Sequence, residues 1–324
     1  MEDFKYLIPE ESIDAIITNV EKLREIENNL RKIFVNYGYN EVLMPSFEYV
    51  DLYTQLDCGF ELDKMFQYIN HEGKNVAMRL DFTIPLARLY ANSFRNDEAR
   101  YSYFGKVYRK ETMHKGRSSE FFQGGVELMN KPGIQGDKEI MMMIQESLPQ
   151  LSLKNIIIEI GSAKFYNRLL ELVGDGKKEL IEILRLRNIS GMKKYVSKYE
   201  FHEKLNALLL ELPTCFGNIT LLNKVMDKLE DPVLLEALTE LKELYDSLDN
   251  KDGIIFDLGM VPTMKYYTGL MIKGYSQKSA YPIISGGRYD DLLPRFHVKA
   301  GAIGFCFHMN HILKAIEKEG EDND

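Results

Sequence analysis

The sequence predicts an α+β fold, a mostly antiparallel sheet flanked by helices and interrupted by a helical insertion. Three observations lead there. Strand-like runs come in pairs joined by hairpins or loops, once before residue 163 and again after residue 250. Helical patterns sit in blocks between those pairs, which is the order of an α+β protein. Residues 163–250 carry short helical patterns with few strand signals. The expected organisation is a discontinuous core, 1–162 with 251–324, around an insertion at 163–250.

The elements follow in order. Over 12–37, Ile13, Ile16, Ile17, Val20, Leu23, Leu30, Ile33 and Phe34 keep helical spacing, giving a long amphipathic helix with Gly38 as its C-terminal cap. Residues 41–45 form a short strand that stops at Pro45. The runs 66–69 and 76–78 flank His71-Glu-Gly-Lys, the pattern of a hairpin. A helix at 84–94 precedes paired strands at 101–109 and 121–129, separated by a charged loop. A helix at 136–148 and a buried strand at 155–160 follow. The insertion holds helices at 177–186, 201–212 and 232–245. Strands return at 254–258, 267–273, 281–285 and 302–307, and a last helix spans 308–319.

Composition narrows the function. The chain has 324 residues, enough for roughly two domains and a large core. Ordinary hydrophobic and charged fractions, 45% and 28%, exclude global disorder. With Gly 23, Pro 10 and Cys 3, collagen-like and disulfide-scaffold classes are excluded too. Lys+Arg 41 against Asp+Glu 49 gives 41 − 49 = −8, which argues against a protein that coats nucleic acid. Cys58, Cys215 and Cys306 are far apart without CxxC spacing, so a reduced, cytoplasmic setting without a structural zinc is expected. MEDFKYLIPEE has no signal-peptide pattern, and no run of about 18 apolar residues exists to span a membrane.

Generic enzyme motifs are missing: there is no GxSxG and no Walker A. Gly174-Asp-Gly-Lys-Lys joins two helical patterns and lacks phosphate-loop spacing. His308 and His311 lie three apart without a further ligand of suitable spacing, so they are expected to fill space and hold no metal. The informative stretch is 79–127, with Arg79-Leu-Asp-Phe-Thr, Tyr103-Phe-Gly-Lys-Val-Tyr-Arg-Lys-Glu, Lys115-Gly-Arg and Phe121-Phe-Gln-Gly-Gly-Val-Glu. Gln123 and Glu127 are four apart on one strand and share a face, with Arg109 near it. Polar groups in so apolar a strand must be partnered. Two alternatives stand at this point: a satisfied internal network, or a cavity for a polar ligand.

These segments resemble the class II aminoacyl-tRNA synthetase core, and histidyl-tRNA synthetase most specifically. Arg79-Leu-Asp-Phe-Thr is similar to the segment that holds the amino group of histidine in that family. Ser285-Gly-Gly-Arg-Tyr-Asp is close to the family's Gly-Gly-Arg-Tyr-Asp element, and Lys265-Tyr-Tyr-Thr-Gly resembles its histidine-specific signature. Pro45 resembles the end of the motif that builds the class II dimer interface. The resemblance implies that Asp81 and Thr83 orient an α-amino group and that Arg109 faces a carboxylate. Gln123 and Glu127 would complete a polar ring, Tyr266 and Tyr267 would wall an imidazole, and Arg288 or Tyr289 would support them.

The pattern breaks where a synthetase handles ATP. An activating Arg is replaced by Pro262, in Met260-Val-Pro-Thr-Met-Lys-Tyr-Tyr. The closing Gly-Leu-Glu-Arg has become His308-Met-Asn-His311, so a bulky ring replaces the small Gly and His311 replaces the Arg. Losing one preorganised charge stabiliser costs about 2.7–4 kcal/mol of transition-state stabilisation. An amino-acid pocket beside a dismantled nucleotide seat resembles the family of ATP phosphoribosyltransferase regulatory subunits. That resemblance implies a non-catalytic, cofactor-free, cytoplasmic chain without an anticodon-binding domain. It implies a homodimer within a hetero-oligomer, a short catalytic subunit as partner and L-histidine as feedback effector in histidine biosynthesis. The rival readings are a compact synthetase-like enzyme that activates an amino acid, and a tRNA or histidine sensor without such a partner. Net charge argues against tRNA.

Overall fold

The computed structural model describes residues 17–56, 58–93, 97–110 and 119–321. Helix α1 (Ile17–Asn36) buries Ile26, Leu30, Ile33 and Phe34 as one stripe. It ends in a Schellman turn: Gly38 takes φ 79°, its N–H donates to Val35 O, and the Tyr39 N–H donates to Phe34 O. The expected helical residues 12–16 lie outside the described residues. The strand expected at 41–45 shrinks to β1 (Asn40–Glu41). The carbonyls of Met44 and Pro45 instead accept from the Arg79 guanidinium, both at 2.8 Å, so no strand takes them.

A small sheet follows. Strand β2 (Phe47–Tyr49) leads into α2 (Val50–Thr54), and the hairpin β3 (Gln67–Ile69), β4 (Asn75–Met78) completes an antiparallel order β2-β4-β3. Sequence pattern missed β2 because its apolar Phe47 and Tyr49 are exposed while Glu48 is buried, the inverse of the usual polarity.

Helix α3 (Thr83–Asn92) precedes the long pair β5 (Ala99–Tyr108) and β6 (Glu120–Met129), then α4 (Ile134–Ser147) and β7 (Ile157–Ser162). Next come α5 (Ala163–Val173), α6 (Lys177–Arg185), α7 (Ile189–Tyr199), α8 (Glu203–Glu211), β8 (Phe216–Gly217), α9 (Ile219–Met226) and α10 (Pro232–Ser247). The chain returns through β9 (Ile254–Asp257), β10 (Leu270–Tyr275), β11 (Ile284–Arg288) and β12 (Ala302–His308), and α11 (Met309–Glu321) is the last helix described. Nine strands form one sheet in the order β1-β5-β6-β12-β11-β10-β7-β9-β8. Pairs β1·β5 and β7·β9 are parallel and the other six are antiparallel. The fold is therefore α+β with a mostly antiparallel sheet.

The segment 163–250 is helical apart from the two-residue β8, which pairs with β9. It packs into the main body: Leu169, Leu238 and Leu241 share one core with Ile160 and Ile254 of the sheet. Local signals fix its helices. Ser162 caps α5 by accepting the Phe165 N–H, and Asp231 caps α10 by accepting from Val233 and Leu234, with Pro232 at the first helical position.

Strand alternation separates a dry face from a polar one. In β6, Val126 and Leu128 enter the large core, while Gln123, Gly125 and Glu127 face the other way. In β12, Ile303, Phe305 and Phe307 enter the same core, leaving Gly304, Cys306 and His308 opposite. Strands β10 and β11 both start about three residues later than their sequence pattern predicts. Tyr266 and Tyr267 thus lie in the turn before β10, and β11 includes the glycine pair Gly286-Gly287.

Candidate functional site

The polar face of the sheet carries a cavity of about 160 Å³. That is smaller than the roughly 300–1,000 Å³ of pockets for drug-sized ligands, and it suits one small molecule. Strand register builds its floor. One cross-strand row runs Glu127, Gly304, Gly287, Met271. The next runs Tyr103, Gly125, Cys306, Ser285, Lys273. A third pairs Gly105, Gln123 and His308. Glycines in these rows leave room for the side chains that pack over them. At Gly287 an added Cβ would sit 3.0 Å from the Tyr267 ring, and at Gly304 it would overlap the Glu127 carboxylate.

One wall is acidic. Asp81 and Glu127 are both buried. Glu127 accepts from Thr83 Oγ1 at 2.6 Å through one oxygen and from the Tyr289 hydroxyl through the other. Burial pushes its carboxyl up to about 8, against the lowering effect of those two donors, and the Asp81 charge raises it further. Burial likewise pushes Asp81 up to about 7, opposed by Arg109, the Ile84 N–H and the Tyr266 hydroxyl. Tyr266 approaches Asp81 Oδ2 at 3.5 Å. Asp81 Oδ1 is buried without a hydrogen-bond partner among the described residues. A buried acceptor in that state is satisfied by a donor from a ligand or water.

The aromatic wall is made of Tyr266, Tyr267 and Tyr289. The Tyr266 ring meets both others edge-to-face, at centroid distances of 5.4 and 5.6 Å. The cationic lining is Arg109 and Lys273. Arg109 is held by its Nε–H, which donates to Leu80 O at 2.8 Å, and its guanidinium lies 5.5 Å from the Phe60 ring centroid. Gln123 is buried in the lining.

At the far end His308 Nε2 and Ser285 Oγ are 2.8 Å apart. Burial, then His311 and Arg109, push the His308 imidazole down to about 3, so it is neutral at physiological pH. Cys306 lies beside them, 3.5 Å from Ser285 Oγ. Burial raises its thiol to about 11, which leaves it an unactivated thiol.

The structure thus brings Asp81, Thr83, Arg109, Gln123, Glu127, Tyr266, Tyr267 and His308 together around one cavity. It does not bring Arg288. Residues 284, 286 and 288 of β11 point to one face, and 285, 287 and 289 to the other. Arg288 is therefore on the reverse side, where its Nε–H donates to Asp137 at 2.7 Å and its Nη2–H to Gly133 O at 2.9 Å. Tyr289, one residue on, is the supporting side chain. Pro262 lines a neighbouring cavity, and His311 points away, with Nδ1 2.7 Å from Pro282 O. Lys115, Gly116 and Arg117 lie outside the described residues. Sequence reasoning missed Tyr103, Ser285, Cys306 and Lys273 as cavity residues. Lys273 had a signal, a lone charge inside the apolar strand Leu-Met-Ile-Lys-Gly-Tyr.

The family profile described as histidyl-tRNA synthetase matches residues 14–312. The chain is 46% identical over 330 residues to the ATP phosphoribosyltransferase regulatory subunit of Lactococcus lactis subsp. lactis, covering 100% of each. It is 31% identical to the protein of that name from Clostridium kluyveri, covering 100% of this chain and 85% of the relative. A crystal structure titled as an ATP phosphoribosyltransferase regulatory subunit/histidyl-tRNA synthetase from Bacillus halodurans superposes with TM-score 0.88 at 26% identity. It covers 97% of this chain and 84% of that one. Histidyl-tRNA synthetase from Nostoc sp. shares the fold, with TM-score 0.80 at 17% identity over 97% of this chain and 76% of its own.

Proposed function

Because the chain belongs to the family of ATP phosphoribosyltransferase regulatory subunits, built on the histidyl-tRNA synthetase fold, we propose that it binds L-histidine in the sheet cavity and regulates a short catalytic partner. A regulatory role in histidine biosynthesis goes with that family. The observation that carries the ligand is the acidic wall. Two buried carboxyl groups line the same cavity, and one keeps an oxygen without a partner among the described residues. An α-ammonium group satisfies that oxygen and favours the ionised form of both carboxyls, through charge-assisted hydrogen bonds of about 1.5–3 kcal/mol. In this reading Asp81 and Thr83 take the ammonium, and Arg109 takes the carboxylate. Glu127 and Gln123 complete the ring, and Tyr266 and Tyr267 enclose the imidazole.

The chain itself is proposed to be non-catalytic. Pro262 offers no charge, His308 is neutral, and His311 is turned to a backbone carbonyl. A transferring phosphoryl group needs fixed cations at those points. Regulation then works by linkage: histidine binds one assembly state more tightly, with coupling of about 1–3 kcal/mol, and shifts the partner toward inhibition. The proposed assembly is a homodimer within a hetero-oligomer in the cytoplasm. Among the described residues no helix is long and apolar enough to cross a membrane.

Calorimetric titration of the purified chain with histidine tests the reading, with histidine-dependent pyrophosphate exchange as its counterpart. Saturable binding without exchange is expected. Robust exchange would make the chain an amino-acid-activating enzyme.

A further inference from the structure

A second cavity, about 370 Å³, adjoins the first on the β9–β10 side of the sheet. Lys273 and Thr263 line both. Its other polar lining is Arg185, Arg187, Asp257 and Tyr275. Three cations line it with one carboxylate, and Glu159, across the strand from Lys273, lies within Coulombic reach of both Lys273 and Arg187. The lining carboxylate is already engaged. Asp257 is 2% exposed, accepts the Gly259 N–H at 3.1 Å and pairs with Arg187 at 2.7 Å.

Two of the cations are placed at a cost to the fold. Arg187 follows α6 at φ 47°, the left-handed position of a Schellman turn: its N–H donates to Leu184 O and the Asn188 N–H donates to Ile183 O. Glycine is the usual residue there, and a side chain with a Cβ is less favourable in that conformation. Lys273 sits in mid-strand, opposite Glu159 on one side and Ser285 on the other. Among the described residues its ammonium has no hydrogen bond or close ion pair, although Asp257 and Glu159 face it at longer range. Burial lowers its pKa, so an added anion would stabilise its charged form. Arg185 is the peripheral member, paired at 3.1 Å with the exposed Glu182.

We propose that this annex binds a small oxyanion of the phosphate class, gripped by Lys273 and Arg187 with Thr263 as hydroxyl donor. Arginine supplies the fork and lysine the point charge that phosphate recognition uses. The volume exceeds what a single carboxylate requires. The assignment goes beyond histidine binding and does not rest on it.

The test titrates the full chain separately with inorganic phosphate, pyrophosphate and histidine, for wild type, Lys273→Gln and Arg187→Gly. The glycine variant removes the guanidinium while relieving the left-handed backbone, and the glutamine variant keeps the shape of the strand. Saturable binding of phosphate or pyrophosphate, weakened at least tenfold in either variant, is expected. Tighter binding of pyrophosphate marks a diphosphate seat, and equal affinities mark a seat for one phosphoryl group. Absence of saturable binding of both anions, or wild-type affinity in both variants, overturns the proposal. Histidine titrated into wild type and Arg187→Gly, whose altered side chain lines only the annex, reports on the first cavity, so failure of one reading is distinguishable from failure of the other.

Discussion

Gly304 stands directly opposite Glu127 in the β12–β6 pair, and its missing side chain is the space the Glu127 carboxylate occupies. The acidic wall thus depends on a hydrogen atom one strand away. Gly304→Ala should push the carboxylate off its bonds to Thr83 and Tyr289. Overpacking of this kind costs about 1–3 kcal/mol. Histidine affinity should fall at least tenfold, read by calorimetry beside a thermal melt that shows the variant folded.

The paired carboxylates predict a pH profile. Both have folded pKa values above the ordinary carboxylate range, about 7 for Asp81 and about 8 for Glu127. The unfolded chain therefore releases these protons near pH 4, before the folded one does. Their contribution favours the unliganded fold below that range and is lost as pH rises through 7 to 8. Melting temperature of the unliganded chain should fall from pH 5 to 8.5, with a shallower slope in Glu127→Gln. Histidine binding should run the other way, because its ammonium needs ionised partners. Affinity should tighten between pH 6 and 8, by at most about tenfold per unit for each carboxyl that must ionise. A flat binding profile in wild type would remove the carboxylates from the site.

Arg288 and Arg109 separate stability from binding. Arg288 is 7% exposed and neutralises Asp137. Arg288→Ala leaves a largely buried carboxylate unpaired, a loss of about 3–5 kcal/mol. Affinity for histidine should stay within about twofold wherever the variant remains folded. Arg109→Gln should do the reverse, lowering affinity at least tenfold with little change in melting temperature. Denaturant titration and calorimetry on both variants check the contrast.

The same pair shows what the sequence could and could not reveal. Gln123, Glu127 and Arg109 were legible because polar side chains at even spacing in an apolar strand must share a face and find partners. Arg288 was misplaced because the resemblance supplied a motif without its phase. Only the true start of β11, at Ile284, decides that residue 288 points away and 289 points in. Most helices were legible from periodicity, and the end of α1 also from its cap at Gly38. Strand β2 was not, because burial there falls on Glu48, which pairs with Arg88 at 2.7 Å. Ser285, Cys306 and His308 became one cluster only through the pairing of β11 with β12, a relation between strands that local pattern does not carry.

His308 predicts selectivity at the far end of the cavity. Its neutral ring, 2.8 Å from Ser285, occupies space where the resemblance places glycine. His308→Gly should leave histidine affinity within about threefold and should not create pyrophosphate exchange, since Pro262 still carries no charge and His311 still faces the Pro282 carbonyl. Appearance of exchange in this single variant would show that bulk alone had silenced a synthetase.

In the proposed regulation, histidine held at Glu127 governs a catalytic partner. The direct measurement is phosphoribosyl transfer to ATP by a short catalytic subunit mixed with this chain, wild type or Glu127→Gln, across a histidine titration. Both mixtures should be active, and only the wild-type mixture should lose activity as histidine rises. Equal inhibition of the two, or no activation by either, would contradict it.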